Sequence, residues 1–196
     1  MNPPPPNIRF TIRDALVWMA AIAGGFGIAR AVWMANETIM SHSEGNVELK
    51  VYWRFGTGVT AVSALVFMLT CAHFVSWIWA DRRPLRAKLA VPGFIATFVV
   101  LLAGCYQIIV HAPTWVWVAT GHHSSEMGWI DARLVFSHVV EQAPKASLVL
   151  SAWAIQWTNN RFRPEPTWLD RSGRCLAAYW ILLPLVWLNI ATFYFR

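Results

Sequence analysis

Charge is scarce in this sequence of 196 residues: 13% are Asp, Glu, Lys or Arg, whereas 57% are hydrophobic. In a typical soluble domain, about a quarter of the residues are charged. The shortage excludes a disordered tail, which combines low hydrophobicity with high charge, and it argues against a water-soluble domain. The 13 tryptophans favour a membrane protein, because Trp is enriched where membranes meet water.

Cysteine is also rare, and its spacing excludes two classes of site. Cys71, Cys105 and Cys175 form neither a C-x-x-C pair nor a Cys/His finger, so a zinc ribbon and a thioredoxin-like site are excluded. Each cysteine falls in an apolar run and is predicted to be a small buried hydrophobe. Their expected depths differ by more than about 10 Å, which is too far for a disulfide.

The chain has no P-loop, no Gly-x-Ser-Gly nucleophile and no other complete catalytic set, so an enzyme is the less favoured interpretation. The net charge of +6 does not indicate a nucleic-acid partner. The basic residues stand in short clusters between long uncharged runs, and a nucleic-acid surface would place them along one face. Clusters beside apolar runs are typical of membrane orientation.

Uncharged runs predict the fold. Residues 55–80, 89–125 and 175–195 carry no Asp, Glu, Lys or Arg over 26, 37 and 21 positions, and at about 1.5 Å per residue each can cross a hydrocarbon core of about 30 Å. Two more helices are expected, one after the Thr-x-x-Asp capping pattern that begins at Thr11 and a less apolar one bent at Pro144. Pro113 should end the third span near His111.

The resulting prediction is an all-α, polytopic transmembrane helix bundle that forms a single integral membrane domain after a disordered, Pro-rich leader at 1–7. The five spans are expected at 14–35, 57–80, 89–111, 137–158 and 175–195.

Basic residues predict the orientation of these spans. With the N-terminus inside, the inner segments hold ten Lys or Arg residues and the outer segments hold four. The positive-inside rule therefore favours an N-in, C-out topology. The ten are Arg9, Arg13, Arg82, Arg83, Arg86, Lys88, Arg161, Arg163, Arg171 and Arg174; the four are Lys50, Arg54, Arg133 and Arg196.

Small residues in the first span predict close helix packing. Ala21, Gly25 and Ala29 recur every fourth position, which is the small-xxx-small pattern that lets helices approach closely in lipid. Either another helix of this chain or a second copy could be the partner.

A polar stripe in the fourth span is the main candidate site. His138, Glu141, Gln142 and Lys145 share one face of a helix. Counting from Trp157 places Lys145 about 18 Å from the inner end, near mid-membrane. Two interpretations stay open. The stripe either lines an outward-facing polar cavity in which Glu141 pairs with Lys145, or it is a solvated helix end at the outer interface.

Histidines at the predicted outer side raise the possibility of a metal ion. His111, His122, His123 and His138 lie within 28 positions and could bind zinc, copper or iron. His111 and His138 could also ligate a b-type haem from neighbouring spans. The spacing matches no metal motif, so no cofactor is predicted. His73 lies alone in the second span and is expected to be a neutral histidine bonded to a neighbouring helix.

The segment Ile-Arg-Phe-Thr-Ile-Arg-Asp-Ala-Leu at 8–16 resembles the opening of many predicted membrane proteins of planctomycete bacteria. This resemblance implies a bacterial inner-membrane location and brings no activity to any residue. The expected function is that of a structural or accessory subunit of a membrane complex, in contact with lipid and either with other subunits or with further copies of itself. The alternative is a membrane-embedded site for a proton, a metal or a redox partner in the outer half of the bundle.

Overall fold

A computed structural model describes most of the chain. The described residues are 10–41, 47–119, 130–162 and 164–194, and within them the side chains of 10–34, 54, 56–110, 142–162 and 164–189. The predicted leader at 1–7 lies outside these ranges.

The described residues are all-helical, as predicted, and contain no strand. The helices are α1 (Ile12–Ser41), α2 (Val47–Ala80), α3 (Leu85–Lys88), α4 (Pro92–Ala119), α5 (Ile130–Thr158) and α6 (Trp168–Tyr194). The chain divides into two compact units, one with residues 1–82 and 167–169, the other with 83–166 and 170–196. That the whole chain forms a single membrane domain stays a prediction.

Helix α1 starts with the capping box that the sequence predicts. The Asp14 carboxylate accepts hydrogen bonds from the Thr11 backbone N–H at 2.9 Å and from the Thr11 hydroxyl at 2.6 Å. The Asp14 N–H in turn donates to the Thr11 hydroxyl at 3.3 Å. Two N–H groups that have no partner inside the helix are thereby satisfied.

Helices α1 and α2 pack as an antiparallel pair. Early positions of α1 contact late positions of α2, as in the cation–π contact of Arg13 with Trp79, and Gly25 in the middle of α1 lies against Leu65. A Cβ on Gly25 would approach the Cα of Leu65 to 2.9 Å. Gly25 therefore lies against another helix of this chain, and that Ala21, Gly25 and Ala29 together form a packing face stays a prediction.

In the second unit, α4, α5 and α6 each bury one face. On α5 the buried residues are Lys145, Val149, Ala152 and Gln156. On α6 they are Ala177, Trp180, Leu183 and Trp187. Both sets follow the helical period of three or four residues. The opposite faces expose large apolar side chains such as Ile155 and Leu182, which suits contact with lipid.

The end of α5 is a Schellman motif. Asn160 has φ 51, the left-handed conformation that Asn tolerates better than most residues. The N–H groups of Arg161 and Asn160 donate to the carbonyls of Gln156 and Trp157 at 2.8 and 3.1 Å. These bonds turn the chain back, so that Arg161 follows directly after the end of the helix.

Three described helices are long and apolar enough to cross a membrane, over Ile12–Met34, Gly56–Ala80 and Pro92–Val110. These correspond to the first three predicted spans. The fourth and fifth predicted spans also lie within helices, α5 and α6, but the described residues of these two helices do not include a candidate span. Their insertion is part of the function proposed below.

Helix α4 continues past the predicted end of the third span near His111 and through Pro113 to Ala119, while its apolar segment ends at Val110. A proline removes one helical hydrogen bond, and a long helix can tolerate that loss. The expectation that every cysteine is buried was wrong. Cys105 and Cys175 are exposed rather than buried, because they lie on the outward faces of α4 and α6. All three cysteines are free.

Candidate functional site

The Lys145 side chain lies in the interior of the second unit. It is 5% exposed, and its Nζ donates to Gln142 Oε1 at 2.8 Å. The same ammonium lies 4.8 Å from the centroid of the Trp180 ring, within cation–π range. We call the three residues Gln142, Lys145 and Trp180 the Lys145 site.

Helices α5 and α6 each supply part of this site. Gln142 and Lys145 are three residues apart on α5, so they share a face. Trp180 belongs to the buried face of α6 and is 1% exposed. The ring provides a negative π-face and the amide provides an oxygen, and both contact the amine.

The other predicted site residues are described less fully. His138 and Glu141 are on α5, and His111 is on α4, but their side chains lie outside the described set. His122 and His123 are outside the described residues altogether. Whether Glu141 pairs with Lys145 therefore stays a prediction.

A tight crossing of α4 and α6 fixes the helix that carries Trp180. A Cβ on Gly173 would lie 2.6 Å from the carbonyl oxygen of Gly93 and 2.8 Å from its Cα. A Cβ on Gly93 would lie 2.5 Å from the carbonyl oxygen of Asp170. Only glycine at both positions permits this approach.

Asp170 lies at the same crossing, against Gly93, and is fully buried. Its carboxylate accepts hydrogen bonds from the N–H groups of Gly93 at 2.8 Å and Glu165 at 2.9 Å, and it pairs with Arg174 at 3.2 Å. Burial raises the pKa of Asp170, and the Gly93 hydrogen bond and the Arg174 charge oppose the rise. Glu165 is held in turn by a bidentate pair with Arg83, at 2.5 and 3.1 Å.

In the first unit a buried histidine is surrounded by tryptophans. His73 is fully buried, and its Nε2 lies 2.7 Å from the carbonyl oxygen of Leu169 in α6. A carbonyl can only accept, so Nε2 carries a proton and donates it. This is the expected bond to another helix. The rings of Trp18 and Trp77 lie at 6.3 and 6.5 Å from the imidazole.

Sequence reasoning did not find Trp180, Gly93, Gly173 or Asp170. Trp180 belongs to an apolar face, and nothing in a single helix shows that it meets a lysine from α5. The Pro-Gly step at 92–93 and the Asp-x-x-Gly step at 170–173 are visible in the sequence, yet their pairing depends on which helices meet.

Within the described side chains, no three His, Cys, Asp or Glu residues come together in a group that could hold a metal ion. The chain matches no family model, and neither a curated protein nor a solved structure is detectably similar to it.

Proposed function

We propose that the chain is an integral protein of the bacterial inner membrane, with five spans and its N-terminus inside, that acts as a structural or accessory subunit of a membrane complex. One observation carries the proposal. Only 11% of an 18-residue window in the apolar segment Ile12–Met34 is buried inside the protein, so most of this window presents its surface to lipid or to the helices of other subunits.

The exposed side chains of α1 support this proposal by their size and spacing. Ile12, Leu16, Met19, Ile22 and Phe26 are all between 39% and 83% exposed, and they recur every three or four residues. In water such a surface would be a large apolar patch, which marks an interaction or membrane surface. In a bilayer this apolar surface is covered by lipid or by a partner helix.

Gentle extraction at native expression level tests the proposal. The chain should resist extraction from membranes by carbonate. It should then migrate in mild detergent within a discrete complex that contains another membrane protein in fixed ratio. Release by carbonate contradicts membrane integration, whereas migration as a single chain contradicts the subunit role and leaves integration intact.

The burial of Lys145 favours a second candidate function, an intramembrane site that handles a proton, a metal or a redox partner. At the mid-membrane depth predicted for Lys145, a charge costs at least about 2.5 to 3.5 kcal/mol, and this cost favours a use beyond packing. Metal analysis and an absorption spectrum of the purified protein test for a metal or a haem. For the proton, a pH-dependent change in the tryptophan fluorescence of the wild type that is missing in Lys145→Met would support the site, and the same change in both proteins would contradict it.

A further inference from the structure

A cavity of about 540 Å³ opens between the start of α4 and the end of α5. This volume is within the usual range for small-molecule sites. The cavity is lined by Arg86, Leu89, Ala90, Ile95, Ala152, Ile155, Gln156, Asn159 and Arg161. No carboxylate is part of this lining, so two arginines set its charge.

The cavity lies at the level where the apolar part of α4 begins. That part starts at Pro92; Leu89 and Ala90 precede it and Ile95 follows it. Two tryptophans of α5 lie nearby. Trp153 Nε1 donates to the Pro92 carbonyl at 3.0 Å, and Trp157 is 71% exposed. Trp at this level is typical of the membrane–water interface.

Both polar and apolar groups line the cavity. Arg86 and Arg161 are exposed and lie on segments outside the helical spans, and the Schellman turn places Arg161 next to Gln156. Ile95, Ala152 and Ile155 form the apolar part. A ligand that fits has an anionic head and a hydrocarbon tail.

Gln156 joins the two elements that line the cavity. The residue is 4% exposed, and its Nε2 donates to the Leu89 carbonyl at 2.6 Å. Both Gln156 and Leu89 belong to the lining, so this hydrogen bond holds the end of α5 to the segment before α4.

We propose that this cavity binds one anionic glycerophospholipid such as phosphatidylglycerol, an inference that rests on the membrane location proposed above. Arg86 and Arg161 bind the phosphate, and an acyl chain lies along Ile95 and Ile155. Guanidinium groups suit phosphate by charge and geometry, and basic pockets between helices at the membrane surface are known to take anionic lipid heads.

Native mass spectrometry of the purified full chain tests the proposal with short-chain phosphatidylglycerol, phosphatidylcholine of the same chain length and inorganic phosphate as probes. The test variant is Arg86→Gln with Arg161→Gln. The matched control is Arg82→Gln with Arg171→Gln, which removes the same charge at two exposed residues outside the cavity lining. All four side chains are exposed, so neither variant disturbs the core.

Wild type and control should retain one phosphatidylglycerol per chain, and they should retain phosphatidylcholine much more weakly. The cavity variant should bind phosphatidylglycerol about 25-fold more weakly, because each arginine near an anionic headgroup contributes about fivefold. Equal loss in both double variants would show a general surface-charge effect and overturn the proposal. Displacement of the lipid by an equal concentration of inorganic phosphate would show a site for free anions, and equal retention of the two lipids would show a site without headgroup selectivity. Either result would also contradict it.

Discussion

The Lys145 ammonium of α5 lies 4.8 Å from the centroid of the Trp180 ring of α6. Both side chains are at most 5% exposed. A desolvated cation over an indole can contribute about 2 kcal/mol or more, compared with about 0.5 to 1 kcal/mol at an exposed site. This contact therefore links the two helices by both packing and charge.

A double-mutant cycle measures this link. Lys145→Met and Trp180→Leu should each destabilise the protein, and we expect the pair to show a coupling of about 1 to 2 kcal/mol. Unfolding in detergent, followed by circular dichroism, gives the four free energies. Strict additivity of the two changes would mean that the ring does not stabilise the ammonium.

The predicted partner Glu141 can be tested in the same way. If Glu141 neutralises Lys145 inside the membrane, Glu141→Gln should cost about 3 to 5 kcal/mol, as when one partner of a buried pair is removed. Adding Lys145→Met should then recover much of this loss. At a hydrated interface the pair would contribute only about 0 to 1 kcal/mol. If Glu141→Gln hardly changes the free energy of unfolding, and Lys145→Met recovers nothing, the stripe is a solvated helix end.

The glycines of α1 offer a matched pair of variants. Gly25→Leu should destabilise the first unit, because even its Cβ would come within 2.9 Å of the Leu65 Cα. Overpacking of this kind typically costs about 1 to 3 kcal/mol. Gly27 has open space around its missing Cβ, so Gly27→Leu should leave thermal stability nearly unchanged. Equal melting temperatures for the two variants would contradict the α1–α2 packing.

The crossing of α4 and α6 should tolerate an added side chain even less well than the contact of α1 with α2. Gly173→Ala would place a Cβ 2.6 Å from a backbone carbonyl oxygen, and backbone cannot move aside as a side chain can. We expect a loss of at least about 1 to 3 kcal/mol. Gly58→Ala is the control, since nothing lies within 4 Å of its Cβ position and alanine favours a helix by about 0.5 to 1 kcal/mol. A Gly173→Ala protein as stable as the control would show that the two helices are further apart.

Local signals in the sequence predicted local structure well. The Thr11 to Asp14 capping box, the helical class and the bond of His73 to another helix all follow from the chemistry of a few neighbouring residues. The extent of helix α4 was less predictable than its apolar segment. That segment ends at Val110, close to the predicted end of the third span near His111, but the helix continues through Pro113 to Ala119 because a proline only weakens a helix.

The candidate site was only half visible in the sequence. A polar stripe on one helix shows Gln142 and Lys145, because helical periodicity places them together. It cannot show Trp180, nor the glycine crossing between Gly93 and Gly173, because those depend on which faces of different helices meet. The cavity lined by Arg86 and Arg161 could not be predicted for the same reason. In the sequence these two residues indicate only the orientation of the spans.

The central claim is that the chain crosses a membrane five times with its N-terminus inside. Cysteine labelling of intact cells tests it most directly, in a variant with Cys71, Cys105 and Cys175 replaced. A membrane-impermeant maleimide should modify Ser43→Cys and Ser124→Cys, which lie in the predicted outer loops, and should modify Pro164→Cys, in a predicted inner loop, only after the cells are permeabilised. Pro164 is exposed and is not part of the cavity lining, so neither burial nor a bound lipid protects it. Labelling of position 164 in intact cells, or no labelling of 43 and 124, would contradict the topology.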